Sequence, residues 1–231
     1  MVIKGLQKLT LLDYPQKCAA VVFTAGCNLR CPFCHNSSLI PFDGVGEITE
    51  EEFFTFLKTR KNLLDGVVIS GGEPLLQKDV ESFIYNIKEM GFLVKLDTNG
   101  TNPKLLKSLV AKGLVDYVAM DIKNSPARYA QTVGLNTLDF APIKESIDFL
   151  LTEPCDYEFR TTVVDQLFDE QSFIDIAVLI KGAKRYYLQP FVDSDAVLFK
   201  GLSAPCDDKM NSYAQGLSKM LDFVQIRGKY H

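Results

Sequence analysis

The chain has 231 residues, 47% hydrophobic and 23% charged, the balance of a water-soluble globular protein with a substantial core. Its 25 Lys and Arg against 29 Asp and Glu give a formal net charge of −4 with no basic tract, so a nucleic-acid surface is not expected. The apolar runs "AAVVF" and "IAVLI" are far too short to span a membrane, and "LTLL" is too short for a signal peptide; the expectation is a cytoplasmic protein, with reduced thiols.

In chain order, the first predicted strand is "CAAVVFT" (18–24), and Thr49 with Glu52 forms a capping box before a helix that carries Phe53, Phe56 and Leu57 on one face. "GVVIS" (66–70) reads as a second strand, followed by a helical face of Val80, Phe83, Ile84 and Ile87. "FLVKLD" (92–97) and "VDYVAMDI" (115–122) read as strands three and four, each followed by an N-cap and N1 proline, Asn102-Pro103 and Ser125-Pro126. "YEFRTTVV" (157–164) precedes a helix with Phe173, Ile176, Ala177 and Ile180 on one face, and "RYYLQPF" (185–191) is the sixth strand. A helix over roughly 207–221 presents Tyr213, Leu217, Met220 and Leu221, and "VQIRG" adds a short final strand. Short apolar strands alternating with amphipathic helices predict a parallel sheet covered on both faces. Six βα units are too few for an eight-stranded barrel, so the expected fold is a single α/β domain over 1–231, an open partial (β/α)6 barrel of the TIM type.

In such a barrel the C-terminal strand ends share one rim, where active sites are built. Strand one leads into "TAGCNLRCPFCHN", strand two into "SGGEP", strand three into "DTNG" and strand four into "DIK"; Arg160 lies on strand five and "QPF" ends strand six. Cys27, Cys31 and Cys34 stand within eight residues of a chain that has six cysteines. Thiolates so spaced suit an iron–sulfur cluster, which with four irons and three protein ligands keeps one iron open. The competing reading is zinc, which wants four ligands; His35 follows Cys34 too directly for both to bind one ion, and Cys18, Cys155 and Cys206 read as structural, although any of them could supply the fourth ligand to zinc. A third reading, merely buried small residues, suits three cysteines among Gly, Asn and Pro poorly.

With Phe33 before the last cysteine and "GGEP" downstream, this CxxxCxxC loop resembles the radical S-adenosylmethionine (SAM) superfamily. "TLLDYPQKCAAVVFTAGCNLRCPFCHN", "VVISGGEPLLQ", "LDTNGT" and "VAMDIK" are similar to the activating enzymes of glycyl-radical proteins, and most like those of anaerobic ribonucleoside-triphosphate reductase. The resemblance covers residues 5–125 well and the remainder more loosely. It implies one [4Fe–4S] cluster on Cys27, Cys31 and Cys34, whose open iron takes the amine and carboxylate of SAM. A low-potential donor such as flavodoxin or ferredoxin would reduce the cluster, and SAM cleavage would give a 5′-deoxyadenosyl radical that takes a Cα hydrogen from a partner's glycine.

The same resemblance puts Phe33 against adenine and the backbone of Gly71, Gly72 and Glu73 against the methionine amine, where glycines would permit close approach. It puts Asp97, Thr98 and Asp121 beside the SAM carboxylate, through a bound monovalent cation, with Lys123 adding positive charge; their plainer reading is solvated or mutually paired strand-end charges. Arg160, facing the barrel interior, would pair with that carboxylate. Asp13 and His35 are implied near the bound glycyl loop; otherwise Asp13 is a turn residue before Pro15 and His35 a packed loop residue. Two features depart from the pattern: the 36 residues between Cys34 and Gly71 contain no cysteine, so a second cluster is not expected, and "LQPFV" lacks the histidine some relatives place there. The alternatives are activation of pyruvate formate-lyase, a small-molecule radical SAM enzyme such as one making a deazaguanine precursor, and a zinc-stabilised binding module.

Overall fold

The structure is a computed structural model that describes residues 1–42 and 44–228. Eight strands form one sheet in the order β1 (Ile3–Thr10), β2 (Ala19–Thr24), β3 (Gly66–Gly71), β4 (Leu93–Thr98), β5 (Tyr117–Asp121), β6 (Asp156–Val163), β7 (Tyr186–Pro190) and β8 (Val224–Ile226). From β2 to β8 all neighbours are parallel, while β1 runs antiparallel to β2. The two edge strands do not pair, so the sheet curls without closing. The predicted six-unit partial barrel is β2–β7; β8 is the short final strand expected from "VQIRG", and β1 is an addition.

The intervening helices are α1 (Glu50–Lys58), α2 (Val80–Glu89), α3 (Pro103–Ala111), α4 (Tyr129–Thr132), α5 (Ala141–Leu151), α6 (Glu170–Leu179) and α7 (Asp207–Leu217). The capping box of α1 forms as predicted: Glu52 N–H donates to Thr49 Oγ1 at 3.1 Å, and Thr49 N–H donates to Glu52 Oε2 at 2.8 Å. Asn102 caps α3 by accepting from the Leu105 N–H. The helix expected after Ser125-Pro126 differs. Ser125 makes no side-chain cap, Pro126–Arg128 is a 3-10 turn, and α4 is a single turn. The crossover to β6 is made instead by α5, whose first turn contains Pro142.

Alternation along each strand sends residues to two different environments. Ala20, Val22, Val67, Ile69, Val94, Leu96, Val118 and Met120 join the main apolar cluster with the buried faces of the helices, such as Phe83, Ile84, Leu106 and Ile147. Each such side chain contributes about 1.5–3 kcal/mol by burial. Opposite residues form a small separate cluster of Tyr14, Ala19, Val21, Val68 and Tyr117, which closes the interior at the N-terminal ends of the strands. Next to this floor the interior becomes charged. Glu158 is completely buried, receives both Arg227 guanidinium arms at 2.7 and 2.9 Å, and accepts from the Tyr117 hydroxyl at 2.8 Å.

Candidate active site

A turn at Gly26, with φ +86°, carries the chain from β2 into the cysteine loop. Gly26 N–H donates to Leu39 O at 2.7 Å and Cys27 N–H to Ile40 O at 3.1 Å, so the loop returns onto its own start. Three other segments fix it. Glu73 N–H donates to Gly26 O at 2.7 Å, Arg30 N–H to Val133 O at 2.9 Å, and Phe199 N–H to Pro32 O at 3.0 Å. His35 is held by stacking on Phe191, with ring centroids 5.5 Å apart, and by donation from Nε2 to Val192 O at 2.5 Å. That bond puts the proton on Nε2, since a carbonyl can only accept.

Beneath the loop lies an interior cavity of about 400 Å³, within the usual size of a small-molecule site. It brings together Cys27, Cys31, Cys34, Phe33 and His35 from the loop, Gly71 and Gly72 from the end of β3, and Asp97, Thr98, Asp121, Lys123 and Arg160 from β4–β6. Asp13, which accepts from the Thr10 hydroxyl at 2.5 Å, also lines it. Every sequence-predicted site residue is thus gathered there except Glu73.

Glu73 does not line the cavity. Its side chain is buried, 1% exposed, and points away from the cavity, accepting from Thr98 Oγ1 at 2.8 Å, Asn99 N–H at 2.7 Å and Leu75 N–H at 3.1 Å. Burial pushes this carboxyl up to about 7, against the pull of those three donors. Glu73 therefore bolts the end of β3 to the end of β4. The glycines also meet a demand beyond the expected one. A Cβ on Gly71, whose φ is +122°, would lie 2.2 Å from Thr24 N, and a Cβ on Gly72 would lie 2.1 Å from Gly26 O. Both glycines let the cysteine loop sit on the β3 turn, a demand made by the protein's own backbone.

The charged residues form a compensated set. Arg160 donates from Nε to Asp121 Oδ1 at 3.0 Å and lies 3.5 Å from Asp97 through its NH1 nitrogen. Lys123 pairs with Asp121 at 2.9 Å, and the buried Lys95 pairs with Asp97. Burial works to raise the Asp121 carboxyl, but Arg160 and then Lys123 outweigh it and hold it down at about 2. Asp97 is lowered in the same way, burial being outweighed by Arg160 and then Lys95. Arg160 was expected to await a ligand carboxylate; it already has two protein partners. Three cations thus face two carboxylates, which leaves one positive charge in excess for an incoming anionic group.

Sequence reasoning missed Lys95, the buried partner of Asp97, and Ser70, Thr162 and Gln189, which line the cavity. A lysine inside the apolar run "FLVKLD" was the available signal, since a charge in a covered strand needs a buried partner. Gln189 lies near the end of β7, in the "LQPFV" segment that lacks a histidine.

The cysteines suit a cluster better than a single ion. Among the described residues, no three His, Cys, Asp or Glu side chains gather closely enough to hold one metal ion. A zinc site would need such a gathering, whereas a four-iron cluster takes its thiolates at separate corners. Burial pushes the Cys31 thiol up to about 12 and raises that of Cys27, so ligation by this loop must displace protons. No described helix is long and apolar enough to cross a membrane.

Comparison with known proteins agrees with this chemistry. Residues 21–171 match the family model of the Radical SAM superfamily. A Methanocaldococcus jannaschii protein named "Putative glycyl-radical enzyme activating enzyme" is 38% identical, over 97% of this chain and 95% of its own length. The pyruvate formate-lyase-activating enzyme of Clostridium pasteurianum is 35% identical, over 53% of this chain and 52% of its own. The structure of Streptococcus suis SuiB bound to S-adenosylmethionine superposes with a TM-score of 0.70 at 13% identity, over 90% of this chain and half (50%) of that one, which establishes the shared fold. With its cysteine loop set over a polar barrel interior, the chain belongs to the radical SAM superfamily, whose enzymes use a [4Fe–4S] cluster and SAM, and within it to the glycyl-radical enzyme activating enzymes.

Proposed function

We propose that the chain installs the glycyl radical of an anaerobic ribonucleoside-triphosphate reductase. The observation that carries this reading is the single cavity that runs from the three cysteines to Asp13 in the "LLDYP" segment, in a barrel whose edge strands do not meet. Such an opening admits a loop of a folded partner, and the "LLDYP" and "CHN" flanks are those by which the sequence resembles activators of that reductase.

In this reading Cys27, Cys31 and Cys34 hold the cluster, and Phe33 packs on adenine. The carbonyls of Gly71 and Gly72 accept from the methionine ammonium, beside Asn36 Nδ2, which lies 3.4 Å from Gly71 O. The excess positive charge of Lys95, Lys123 and Arg160 over Asp97 and Asp121 receives the SAM carboxylate, so neutrality is reached without a separate monovalent cation. Thr98 and Glu73 keep the ends of β3 and β4 in register for that contact. When bound, cluster and SAM together supply a 5′-deoxyadenosyl radical from one electron, given by a flavodoxin or ferredoxin. The chain orients both groups, keeps water out, and through Asp13 and His35 meets the partner's backbone.

The test mixes reduced, cluster-loaded protein with SAM and either anaerobic ribonucleotide reductase or pyruvate formate-lyase. The readouts are glycyl-radical EPR and 5′-deoxyadenosine formed per radical. A radical on the reductase with near-unit coupling is expected, and Asp13→Ala should consume more SAM per radical. A radical on pyruvate formate-lyase alone overturns the partner; equal coupling in Asp13→Ala removes Asp13 from the site.

A further inference from the structure

The cysteine loop is covered on most of its outer side. Val133 and Gly134 lie against Arg30, so closely that a Cβ on Gly134 would stand 2.3 Å from Arg30 O. The segment after β7 crosses Pro32, His35 and Ser37, bonding to each through Phe199, Val192 and Ala196. One flank stays open. There a second cavity of about 570 Å³ is lined by Cys27, Arg30, Ile40, Phe42, Leu76 and Lys78. Of the three clustered cysteines only Cys27 borders both this cavity and the interior one.

The second cavity has the make-up of a docking surface. Phe42 and Leu76 are 59% and 40% exposed, an apolar patch at its mouth. Arg30 and Lys78 are exposed and pair with no carboxylate among the described residues, whereas the lining acid, Asp79, is engaged by the Met1 amino group at 2.7 Å. Arg30 is also anchored beside the cluster position, donating to Cys27 O at 2.5 Å and Leu29 O at 2.9 Å. A basic rim is unusual on a chain of net charge −4. The remaining cysteines come singly from the segments leading into β2, β6 and α7, so the chain offers no second cysteine cluster as an internal relay.

We infer that this open flank is where the reducing electron is delivered, and that its occupant is a small acidic electron-transfer protein with its redox group at the surface. The inference rests on the radical SAM assignment above. One electron leaves the reduced centre of the acidic protein, which is thereby oxidised, and enters the cluster on the Cys27 side; no bond or proton changes in that step. Arg30 and Lys78 attract its carboxylates while Phe42 and Leu76 form the apolar centre of the contact. The interior cavity stays free for SAM and the partner's glycine, so the electron and the substrate arrive from opposite sides of the loop.

Lys78 makes no hydrogen bond to the cysteine loop among the described residues and does not line the interior cavity, so it is the position to change. Cluster-loaded wild type, Lys78→Glu and Lys78→Gln are titrated by calorimetry with an acidic flavodoxin and, separately, an acidic ferredoxin, at low and high salt. SAM cleavage driven by dithionite is measured in parallel. At least one of the two proteins binds the wild type; Lys78→Glu weakens that binding roughly tenfold at low salt, Lys78→Gln by less, and the difference closes at high salt. Dithionite-driven cleavage stays the same in all three. Equal affinity in wild type and Lys78→Glu, or no binding of either protein to the wild type, overturns the docking face. Failure of dithionite-reduced wild type to cleave SAM overturns the radical SAM reading instead.

Discussion

Gly72→Ala tests how the cysteine loop is seated. The added Cβ would stand 2.1 Å from Gly26 O and 2.6 Å from Gly26 C, where an ordinary carbon contact needs roughly 3.5 Å. The carbonyl must therefore retreat by more than about 1 Å. It is not free to swing aside, because it accepts from Glu73 N–H at 2.7 Å and the Gly26 N–H is itself bound to Leu39 O at 2.7 Å. Retreat carries Cys27, the next residue, with it. Overpacking of this kind costs about 1–3 kcal/mol, and a lost Glu73–Gly26 bond adds about 1 kcal/mol. A displacement near 1 Å at a reacting centre lowers a rate by about 100-fold. Gly72→Ala is thus expected to lose about 2–4 kcal/mol in urea unfolding, to take up less iron and sulfide, and to form 5′-deoxyadenosine about 100-fold more slowly. If the variant keeps full stability and iron content and loses only SAM affinity, the glycine serves the cofactor's approach and the packing argument is refuted.

Replacing Cys27, Cys31 or Cys34 by Ala should remove the brown chromophore and SAM cleavage, whereas Cys18, Cys155 and Cys206 changed together to Ser should keep both; iron analysis and product chromatography decide. The folded Asp121 carboxyl sits at about 2 against an ordinary 3.8, so its contribution to stability is complete above pH ~4 and is lost as the pH falls towards ~2. That difference corresponds to about 2 kcal/mol, and Asp121→Asn should flatten this limb of the stability profile in urea unfolding across the acid range; an unchanged limb would contradict the ion-pair geometry. Gly216→Ala, in α7 with open space where the methyl would go, should raise stability by about 0.5–1 kcal/mol without altering the cluster.

The strands β2–β7 were legible because covered parallel strands leave short apolar runs, and their common direction then required the motifs at their ends to converge. The cysteine loop was legible because spacing alone separates ligand sets from scattered cysteines. β1 was not: "IKGLQKLT" mixes Lys, Gly and Gln because an edge strand has little to bury, and so it lacks the alternation that marks a half-covered strand. The interior ion pairs were only half legible. Arg160 was placed inside, and Lys95 shares a face of β4 with Asp97 two residues on, but Glu158 meets Arg227 only when β6 and the residue after β8 come together in the fold. The side-chain direction of Glu73 was likewise hidden, since a motif names a residue without saying which way it turns.

The two faces of each strand answer to separate selective demands. On β6, Phe159 and Thr161 belong to the packed shell against the helices, whereas Glu158 and Arg160 face inward; on β5, Met120 packs outward and Asp121 inward. Most folding free energy comes from a layer that never touches the cavity, so inner positions can change their chemistry at modest cost to the scaffold. One restriction applies. Lys95, Lys123, Arg160 and Arg227 are paired with Asp97, Asp121 and Glu158 in a poorly solvated space, where removing one partner strands the other's charge at a cost of about 3–5 kcal/mol. A barrel of this kind can therefore acquire a new substrate by exchanging inner charges in balanced groups, and a lone substitution among them leads through an unstable intermediate.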